Sequence, residues 1–269
     1  MYIFIDIGGT NTRIGVSSDL TSLNDHLIFE TPENYPEGID ILNKKISEIK
    51  NGEKIDGIVI GLPGPLNSAK TCLESSPHLG GWVGAEITND LGNTFSCGAY
   101  LENDAALVGL GEAVYGAGRG KDIVVYITVS TGVGGVRIVG GRIDENKHGF
   151  EIGHQHIKDG ITLEDLVSGE SIEKKYNTAP RQITDERVWQ EYADDLALGV
   201  SNTVLFWSPD IIVIGGSMSR SVLFDRLNIE VAKDTRILKN LPAIVPSELD
   251  SIGGLYGGLA YMQNIIKKQ

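Results

Sequence analysis

The amino-acid sequence predicts a mixed α/β protein built from two lobes of similar internal order. Short apolar runs rich in β-branched residues stop at glycine and are followed by segments of helical periodicity, first at the N-terminus and again from Ile123 onwards. Placing Asp6 over Ser130 superimposes a strand, a glycine-rich turn and a returning strand of the two halves. A chain of 269 residues is long enough for two such lobes.

The first half is predicted to contain three strands, a helix, a further strand and a second helix. The run from Tyr2 to Ile7 is apolar and β-branched, which is typical of a strand buried on both faces. Apolar residues at 39, 42, 46 and 49 recur every three or four positions and predict an amphipathic helix. The expected elements are strands over 2–7, 13–17, 26–30 and 57–62 and helices over 37–50 and 104–115.

The second half repeats the pattern of buried strands and glycine turns. The run from Ile123 to Val129 is rich in valine, isoleucine and tyrosine, and a glycine-rich turn follows it. Valine, leucine and tyrosine recur every four residues between 188 and 204, which predicts a long helix. The expected elements are strands over 123–129, 136–139, 141–143 and 211–214 and helices over 185–206, 221–238 and 252–266.

The composition excludes several classes of protein. The net charge is −13, and a surface this acidic repels a polyphosphate backbone, which argues against DNA or RNA as the main partner. Two cysteines cannot build a disulfide framework, and no apolar run reaches the ~18 residues of a membrane-spanning helix. The N-terminus lacks the basic and cleavage regions of a signal peptide. These features predict a cytoplasmic protein without a membrane partner.

Two glycine-rich turns, over 6–13 and 130–135, each follow a predicted buried strand. Consecutive glycines let backbone N–H groups approach an anion, and in the first turn Thr10 and Asn11 add side-chain donors while Arg13 adds a cation. Each turn taken alone is as typical of a structural hairpin as of an anion-binding site. Their matching places in the two halves favour the binding of one polyphosphate by both turns.

Two common nucleotide-binding motifs are excluded by the residues around these glycines. The pair Gly120-Lys121 has Tyr115 and Asp122 where a Walker loop requires glycine and serine or threonine. Arg137 stands where a dinucleotide fingerprint that starts at Gly132 requires glycine. If a nucleotide binds, it uses neither chemistry.

Asp104 begins the predicted helix over 104–115. Aspartate is a favoured N-cap residue, so a purely structural role is open. A helix N-terminus also favours an ionised carboxylate, which can accept a proton from a hydroxyl group, and Asn103 beside it can bond to a polyol. Farther along, Glu151, His154 and Glu164 taken alone are typical of a solvated loop, because a metal site at His154 lacks further ligands nearby in the sequence.

In their order and spacing, the motifs resemble the ROK family of sugar kinases and sugar-responsive repressors, within the actin-like ATPase superfamily. The likeness spans nearly the whole chain and rests on residues 6–13, 61–65, 103–105, 130–135, 151–154, 163–169 and 212–216. The resemblance implies a two-lobed actin-like (ribonuclease H-like) architecture. The first lobe is expected over 1–115 with the helix over 252–269 packed on it, and the second over 116–251.

The resemblance also implies a role for each matched residue. Asp104 matches the catalytic base of the family, and Asp6 matches the residue near Mg²⁺. The implied nucleotide-binding residues are Gly9, Thr10, Asn11, Arg13, Thr131, Gly132, Gly215 and Gly216. The implied sugar-binding residues are Gly64, His78, Asn103, Glu151, His154 and Glu164.

The sequence departs from the family pattern in three places. Residues 155–163 lack the cysteine-rich zinc loop of many members, so no structural zinc is expected. His78 stands where the sugar-binding loop of the family often has asparagine, which leaves the sugar open. The DNA-binding segment of the repressors precedes the first phosphate motif, which here begins at Asp6, and this favours an enzyme.

The resemblance implies an ATP:sugar phosphotransferase of the hexokinase or glucokinase class. ATP with Mg²⁺ is the expected co-substrate, and O6 of glucose or a similar hexose is the expected acceptor. An N-acetylhexosamine kinase of the N-acetylmannosamine type, a catalytically silent sugar sensor and a nucleotide hydrolase on the same scaffold are the alternatives. The family also leads us to expect a homodimer whose other partners are small molecules.

Overall fold

The computed structural model describes residues 1–76 and 79–268. Its first elements are β1 Tyr2–Ile7, β2 Asn11–Ser17, β3 Asp25–Glu30, α1 Tyr35–Ile49, β4 Gly57–Leu62, α2 Ile87–Phe95, β5 Gly98–Asn103 and α3 Asp104–Val114. The chain continues with β6 Ile123–Val129, β7 Val133–Val139, β8 Arg142–Ile143, β9 His156–Lys158, β10 Ile161–Thr162, α4 Leu163–Val167, α5 Gly169–Tyr176, α6 Glu186–Trp207, β11 Ile211–Gly215, α7 Phe224–Asp234, β12 Ala243–Pro246 and α8 Gly253–Ile266. Among the helices in these ranges, none is long and apolar enough to cross a bilayer.

Packing divides the chain into two compact units. The first contains Met1–Val114, Glu145–Gly149 and the C-terminal segment from Ser251, and the second contains Tyr115–Asp144 and Phe150–Asp250. Both units are mixed α/β, as the sequence predicts. The division into lobes at residue 115 stays a prediction, because compact packing does not test which parts fold on their own.

The first unit is built on a five-stranded sheet in the order β3-β2-β1-β4-β5. Strands β1, β4 and β5 are parallel, whereas β1, β2 and β3 form an antiparallel meander. Side chains alternate along β1, so Ile3 and Ile5 join the core beneath α1 and α2, and Phe4 and Asp6 point to the opposite face. Helix α8 covers that opposite face.

Helices α3 and α8 of the first unit pack backbone against backbone. A Cβ atom on Gly257 would lie 1.8 Å from the carbonyl oxygen of Leu107. A Cβ atom on Gly111 would lie 2.4 Å from the carbonyl oxygen of Gly253. Only glycine permits this approach, which brings the start of α8 over the end of β1.

The second unit repeats the same sheet with other strands, in the order β12-β11-β6-β7-β8. Strands β6, β11 and β12 are parallel, whereas β6, β7 and β8 form an antiparallel meander. The core combines strand residues such as Val125 and Ile212 with Leu196 and Val200 of α6. The predicted similarity of the two halves is therefore confirmed at the level of topology.

The detailed register of that similarity differs from the sequence-based overlay. The first hairpin closes with Ile7 opposite Thr12, across a turn of four residues, and the second closes with Val129 opposite Val133, across a turn of three. Asp6 pairs with Gly61, and the equivalent pair in the second unit is Thr128 with Gly215. The overlay of Asp6 on Ser130 is therefore two residues out of register along the first strand of the hairpin, and because the turns differ in length by one residue, no single offset aligns both strands.

The predicted elements are confirmed within three residues at each end, with one exception. Helix α7 ends at Asp234 instead of Leu238. The hydroxyl of the buried Thr235 donates a hydrogen bond to the Val231 carbonyl oxygen at 2.6 Å. The Leu238 amide donates to the Thr235 carbonyl oxygen and closes a turn after the helix. A side chain that bonds to the backbone in this way competes with helix continuation.

Candidate functional site

The carboxyl ends of β1, β4 and β5 meet at one edge of the sheet in the first unit. Asp6, Gly61 and Glu102 are in register across these parallel strands. A Cβ atom on Gly61 would lie 3.4 Å from the Cα atom of Asp104, so the absent side chain makes room for the start of α3. In open α/β sheets, this edge is where ligands bind.

Asp6 is a buried carboxylate, with 9% of its surface exposed. Its partner across the hairpin, Arg13, donates from Nη1 to Oδ2 over a long 3.5 Å. Burial raises the pKa of Asp6 to about 6, although Arg13 opposes the shift. Gly254 of α8 lies directly over the carboxylate, since a Cβ atom there would be 2.8 Å from Cγ of Asp6.

Asn103, and not Asp104, caps the N-terminus of α3. The Asn103 side-chain oxygen accepts a hydrogen bond from the Ala106 amide at 3.0 Å. Asp104 occupies the first helical position, where Oδ1 accepts from the Ala105 amide at 2.7 Å and Oδ2 has no protein donor among the described residues. The simple capping role is therefore wrong for Asp104, and one carboxylate oxygen is open to a ligand.

The half-buried Asp104 lies in an environment that disfavours its charge. Burial, together with the negative charge of Asp6, raises the pKa of Asp104 to about 7. A carboxylate that titrates near neutrality can both accept and hold a proton at working pH. The predicted candidates Asp6 and Asp104 are thus brought into electrostatic contact.

Gly64 is tethered to this edge through Asn103, which donates from Nδ2 to the Gly64 carbonyl oxygen at 3.2 Å. Gly64 has φ +135°, and a Cβ atom there would lie 2.4 Å from the Ser75 carbonyl oxygen. The backbone at this position therefore requires glycine. His78, the remaining sugar-binding candidate of the first unit, lies with Pro77 outside the described residues.

The first glycine turn presents unbonded amides to solvent. The Gly8 amide bonds to the Asn11 carbonyl oxygen at 2.9 Å and closes the turn. Gly9 and Thr10 are exposed, and within the described ranges their amides have no protein acceptor. Such a row of amides, with Arg13 next to it, suits an anion.

The second glycine turn is closed by the Ser130 amide, which bonds to the Gly132 carbonyl oxygen at 2.8 Å. The Val133 amide donates to Oε2 of Glu164 at 2.7 Å. Over the described part of the chain, the amides of Thr131 and Gly132 have no protein acceptor. They are the donors that this turn offers to an anion.

Gly215 ends β11 beside that turn, and Gly216 follows it. Gly216 has φ +89°, and a Cβ atom on it would lie 2.3 Å from the Val129 carbonyl oxygen. The hydroxyl of Ser217 lies 3.0 Å from that of Ser130. The structure thus brings two predicted nucleotide-binding segments of the second unit together at the carboxyl ends of adjacent parallel strands.

The segment that carries Glu151 and His154 and the side chain of Glu164 both approach Val133. A 3₁₀ turn over Ile152–His154 packs on β7, and a Cβ atom on Gly153 would lie 2.2 Å from the Val133 carbonyl oxygen. Glu164 reaches the amide of the same residue. Glu151 and His154 flank this contact with exposed side chains.

Gln155 anchors the segment over 155–163, where the sequence departs from the family pattern that it resembles. Its side chain donates to the Ile152 carbonyl oxygen at 3.0 Å and accepts from Asn202 of α6 at 2.9 Å. Its own carbonyl oxygen accepts from the Leu163 amide at 3.0 Å, across the short hairpin of β9 and β10. These three bonds fix the backbone that carries His154.

Sequence reasoning missed several residues of this region. Lys70 pairs with the buried Glu102 at 2.5 Å, a partner 32 positions away that no local pattern reveals. The Gln155–Asn202 bond is equally long-range. Ser217 had a usable signal, because it directly follows the glycine pair.

Comparisons with known proteins point to one family. The family model described as ROK family matches residues 2–264. The chain is 27% identical to the glucokinase of Thermotoga maritima, over 85% of this chain and 86% of that protein. It is 26% identical to the N-acetylgalactosamine kinase AgaK of Shewanella sp. (strain ANA-3), over 81% of this chain and 82% of that protein. The ROK hexokinase structure from Thermus thermophilus matches with a TM-score of 0.87 at 24% identity, over 100% of this chain and 99% of that one, which confirms the expected actin-like fold.

Proposed function

The chain belongs to the ROK family, and from this membership we propose that it is a sugar kinase that transfers the γ-phosphoryl group of ATP to a hexose hydroxyl. The proposed acceptor is O6 of glucose or a similar hexose. The observation that carries the proposal is the environment of Asp104. This carboxylate begins a helix at the ligand-binding edge of the sheet, has a raised pKa and keeps one oxygen without a protein donor among the described residues.

Phosphoryl transfer needs alignment and charge stabilisation more than covalent chemistry. Asp104 would accept the proton of the sugar hydroxyl at Oδ2 as the new bond forms, while Oδ1 stays bonded to the Ala105 amide. Asn103 fixes the helix start and the Gly64 backbone, so that the carboxylate is held in place. Its remaining amide hydrogen is available to a sugar hydroxyl.

The two glycine turns would bind phosphate oxygens through backbone amides. In the first unit the donors are the amides of Gly9 and Thr10, with Asn11 and Arg13 beside them. In the second unit, the corresponding donors come from the turn over 130–132, and Gly215 and Gly216 form the adjoining nucleotide segment. Backbone amides supply local positive potential without a cationic side chain, so a protein with a net charge of −13 can still bind an anion at these turns.

Asp6 would hold Mg²⁺. Its carboxylate is buried, its ion pair with Arg13 is long at 3.5 Å, and the carboxylate of Asp104 repels its charge. A divalent cation bound by one carboxylate and by phosphate oxygens relieves this repulsion. When bound, Mg²⁺ supplies charge neutralisation on the phosphates.

Glu151, His154 and Glu164 would bind sugar hydroxyls in the second unit. Glu164 contacts Val133, and Glu151 and His154 are exposed on the segment that packs against the same residue, so two carboxylates and an imidazole are available. Carboxylates accept from hydroxyl groups, and histidine can donate or accept. This combination suits a polyol.

A coupled ADP-release assay with Mg-ATP tests the proposal. The panel contains glucose, mannose, fructose, N-acetylglucosamine, N-acetylmannosamine and N-acetylgalactosamine. We expect ADP release that depends on a hexose. Turnover with an N-acetylhexosamine and with no other sugar would make that sugar the acceptor in place of glucose. Sugar binding without ADP production would indicate a sensor. ADP release that does not depend on a sugar would indicate a hydrolase.

A further inference from the structure

Glu164 makes a direct contact with the second glycine turn. Binding of a sugar hydroxyl by this carboxylate does not by itself require such a contact. Its Oε2 accepts a hydrogen bond from the Val133 amide at 2.7 Å. The carboxylate also lies over Gly132, since a Cβ atom on that glycine would be 2.7 Å from Oε2 and 4.0 Å from Oε1. One oxygen is thus committed to the turn, and the other lies farther from it.

The segment that carries Glu164 is itself bonded to the turn. The Gly169 amide donates to the Ser130 carbonyl oxygen at 2.7 Å, and the Glu170 amide donates to the Thr131 carbonyl oxygen at 3.4 Å. A capping box between Thr162 and Asp165 fixes the first turn of α4, where Glu164 sits. The Glu164 side chain therefore leaves a rigid backbone and adds a third bond between this segment and the turn.

This arrangement decides which amides of the turn are left for a ligand. With the Val133 amide held by Glu164 and the Ser130 amide bonded within the turn, the amides of Thr131 and Gly132 remain as donors in the described part of the chain. A hydrogen bond from an amide to a carboxylate is charge-assisted and stronger than a neutral one. Loss of it would free the turn to adopt other conformations.

We propose that Glu164 is a positioning residue that couples the sugar to the nucleotide. One oxygen holds the phosphate-binding turn through Val133, and the other accepts a hydrogen bond from the sugar. A bound sugar orders the carboxylate and with it the turn, so the nucleotide meets an already ordered site and binds more tightly. The inference rests on the proposed function and adds to it a residue through which the two substrates influence each other.

The test compares two changes at Glu164 with a matched change nearby. Glu164→Asp keeps the charge but shortens the side chain by one methylene, which breaks the bond to Val133. Glu164→Gln keeps the reach and an acceptor oxygen. Glu170→Asp makes the same shortening at an exposed position in the same segment and serves as the control.

The first measurement is isothermal titration with Mg-AMPPNP, without sugar and at saturating amounts of the accepted sugar. In the wild type we expect the sugar to tighten nucleotide binding. For Glu164→Asp we expect about ten- to hundredfold weaker nucleotide binding without sugar, from the loss of one hydrogen bond to a charged group, and little tightening by sugar. Glu164→Gln and Glu170→Asp are expected to bind nucleotide without sugar within about threefold of the wild type.

The second measurement is hydrogen exchange at the Val133 amide, which needs neither substrate. Protection is expected to fall in Glu164→Asp and to persist in Glu164→Gln and Glu170→Asp. If Glu164→Asp does not fold, Gly132→Ala takes its place, because the added Cβ would push the carboxylate away from Val133. The substitute is expected to lose the same protection.

If a folded Glu164→Asp variant keeps the nucleotide affinity, the sugar response and the Val133 protection of the wild type, the inference is overturned. The proposed function still stands in that case, provided that the wild type phosphorylates a sugar. A wild type that binds no nucleotide and phosphorylates no sugar removes both. Weak nucleotide binding in Glu170→Asp as well would assign the effect to the segment as a whole and would also overturn the role of Glu164.

Discussion

The two units share one sheet topology but end their equivalent strands in different chemistry. In the first unit, β1 places Asp6 opposite Gly61, and β5 leads into Asp104. In the second, β6 places Thr128 opposite Gly215, which is the first residue of a glycine pair. The same strand order brings strand ends together in both units, whereas the residue types decide whether that edge carries acids or bare amides.

The difference is reinforced by what covers each edge. In the first unit α8 packs over the end of β1 and lays Gly254 on Asp6, so burial raises the pKa values of Asp6 and Asp104. In the second unit the glycine turn remains open at Thr131, which is exposed. For the proposed kinase, the comparison predicts a division of labour in which proton transfer belongs to the first unit alone, whereas phosphate binding is shared by the glycine turns of both units.

The largest expected effect comes from removing the acid of the first unit. Asp104→Asn keeps the size and the acceptor oxygen for the Ala105 amide but cannot take a proton. We expect kcat to fall by roughly 10²–10⁴ with the KM for sugar nearly unchanged, since general-base contributions have this size. Steady-state kinetics and sugar titration of the variant measure both quantities.

Asp225→Asn is the matched control, because Asp225 also lies in the first turn of a helix but is exposed, in the second unit. Its kcat is expected to equal that of the wild type. A near-normal kcat in Asp104→Asn would remove the acid from the mechanism and with it the division of labour between the units.

A smaller effect is expected from adding a side chain at the glycine pair that ends and follows β11 in the second unit. Gly216→Ala would place a Cβ atom 2.3 Å from a backbone oxygen at φ +89°, whereas Gly120→Ala has a similar φ of +82° with nothing within 4 Å. The control isolates the backbone cost of placing an alanine at positive φ, about 1 kcal/mol. We expect Gly216→Ala to lower the free energy of unfolding by about 2–4 kcal/mol, the sum of that cost and overpacking.

Urea unfolding of both variants measures the difference, and titration with Mg-AMPPNP tests the second consequence. Where Gly216→Ala remains folded, we expect weaker nucleotide binding than in Gly120→Ala. Equal stability and affinity of the two variants would show that Gly216 is not needed for close approach to Val129.

The local pattern of the sequence was sufficient for the strands and long helices. The continuous apolar run from Tyr2 to Ile7 and the four-residue periodicity in α6 report burial directly, and both elements are confirmed. Short helices such as α4 depend on a capping box and on packing against α6, so they carry too few periods to be recognised.

The candidate residues were found through family motifs, but their interactions could not be. Asn103 and Asp104 are both favoured cap residues, and only the backbone geometry shows that Asn103 makes the capping bond. The contact of Glu164 with Val133 joins residues 31 positions apart. The roles proposed for the site residues stay predictions until the variants are measured.

The smallest expected effect is on stability and follows from the raised pKa of Asp104, about 7 in the folded protein against 3.8 for the ordinary group. Between these values the folded state binds more protons than the unfolded state, so the free energy of unfolding falls as pH rises from about 4 to 7. Asp104→Asn removes this group, so the free energy of unfolding of the variant should depend less on pH. After allowance for partial exposure of the side chain, we expect the variant to be about 1–2 kcal/mol more stable than the wild type at pH 8. Thermal unfolding across this pH range, in buffer with a chelator, measures it as a rise in Tm of several degrees. Equal pH dependence of unfolding in the two proteins would mean that the first unit does not disfavour the charge of Asp104. The strand ends of the two units would then differ in residue type but not in their electrostatic environment.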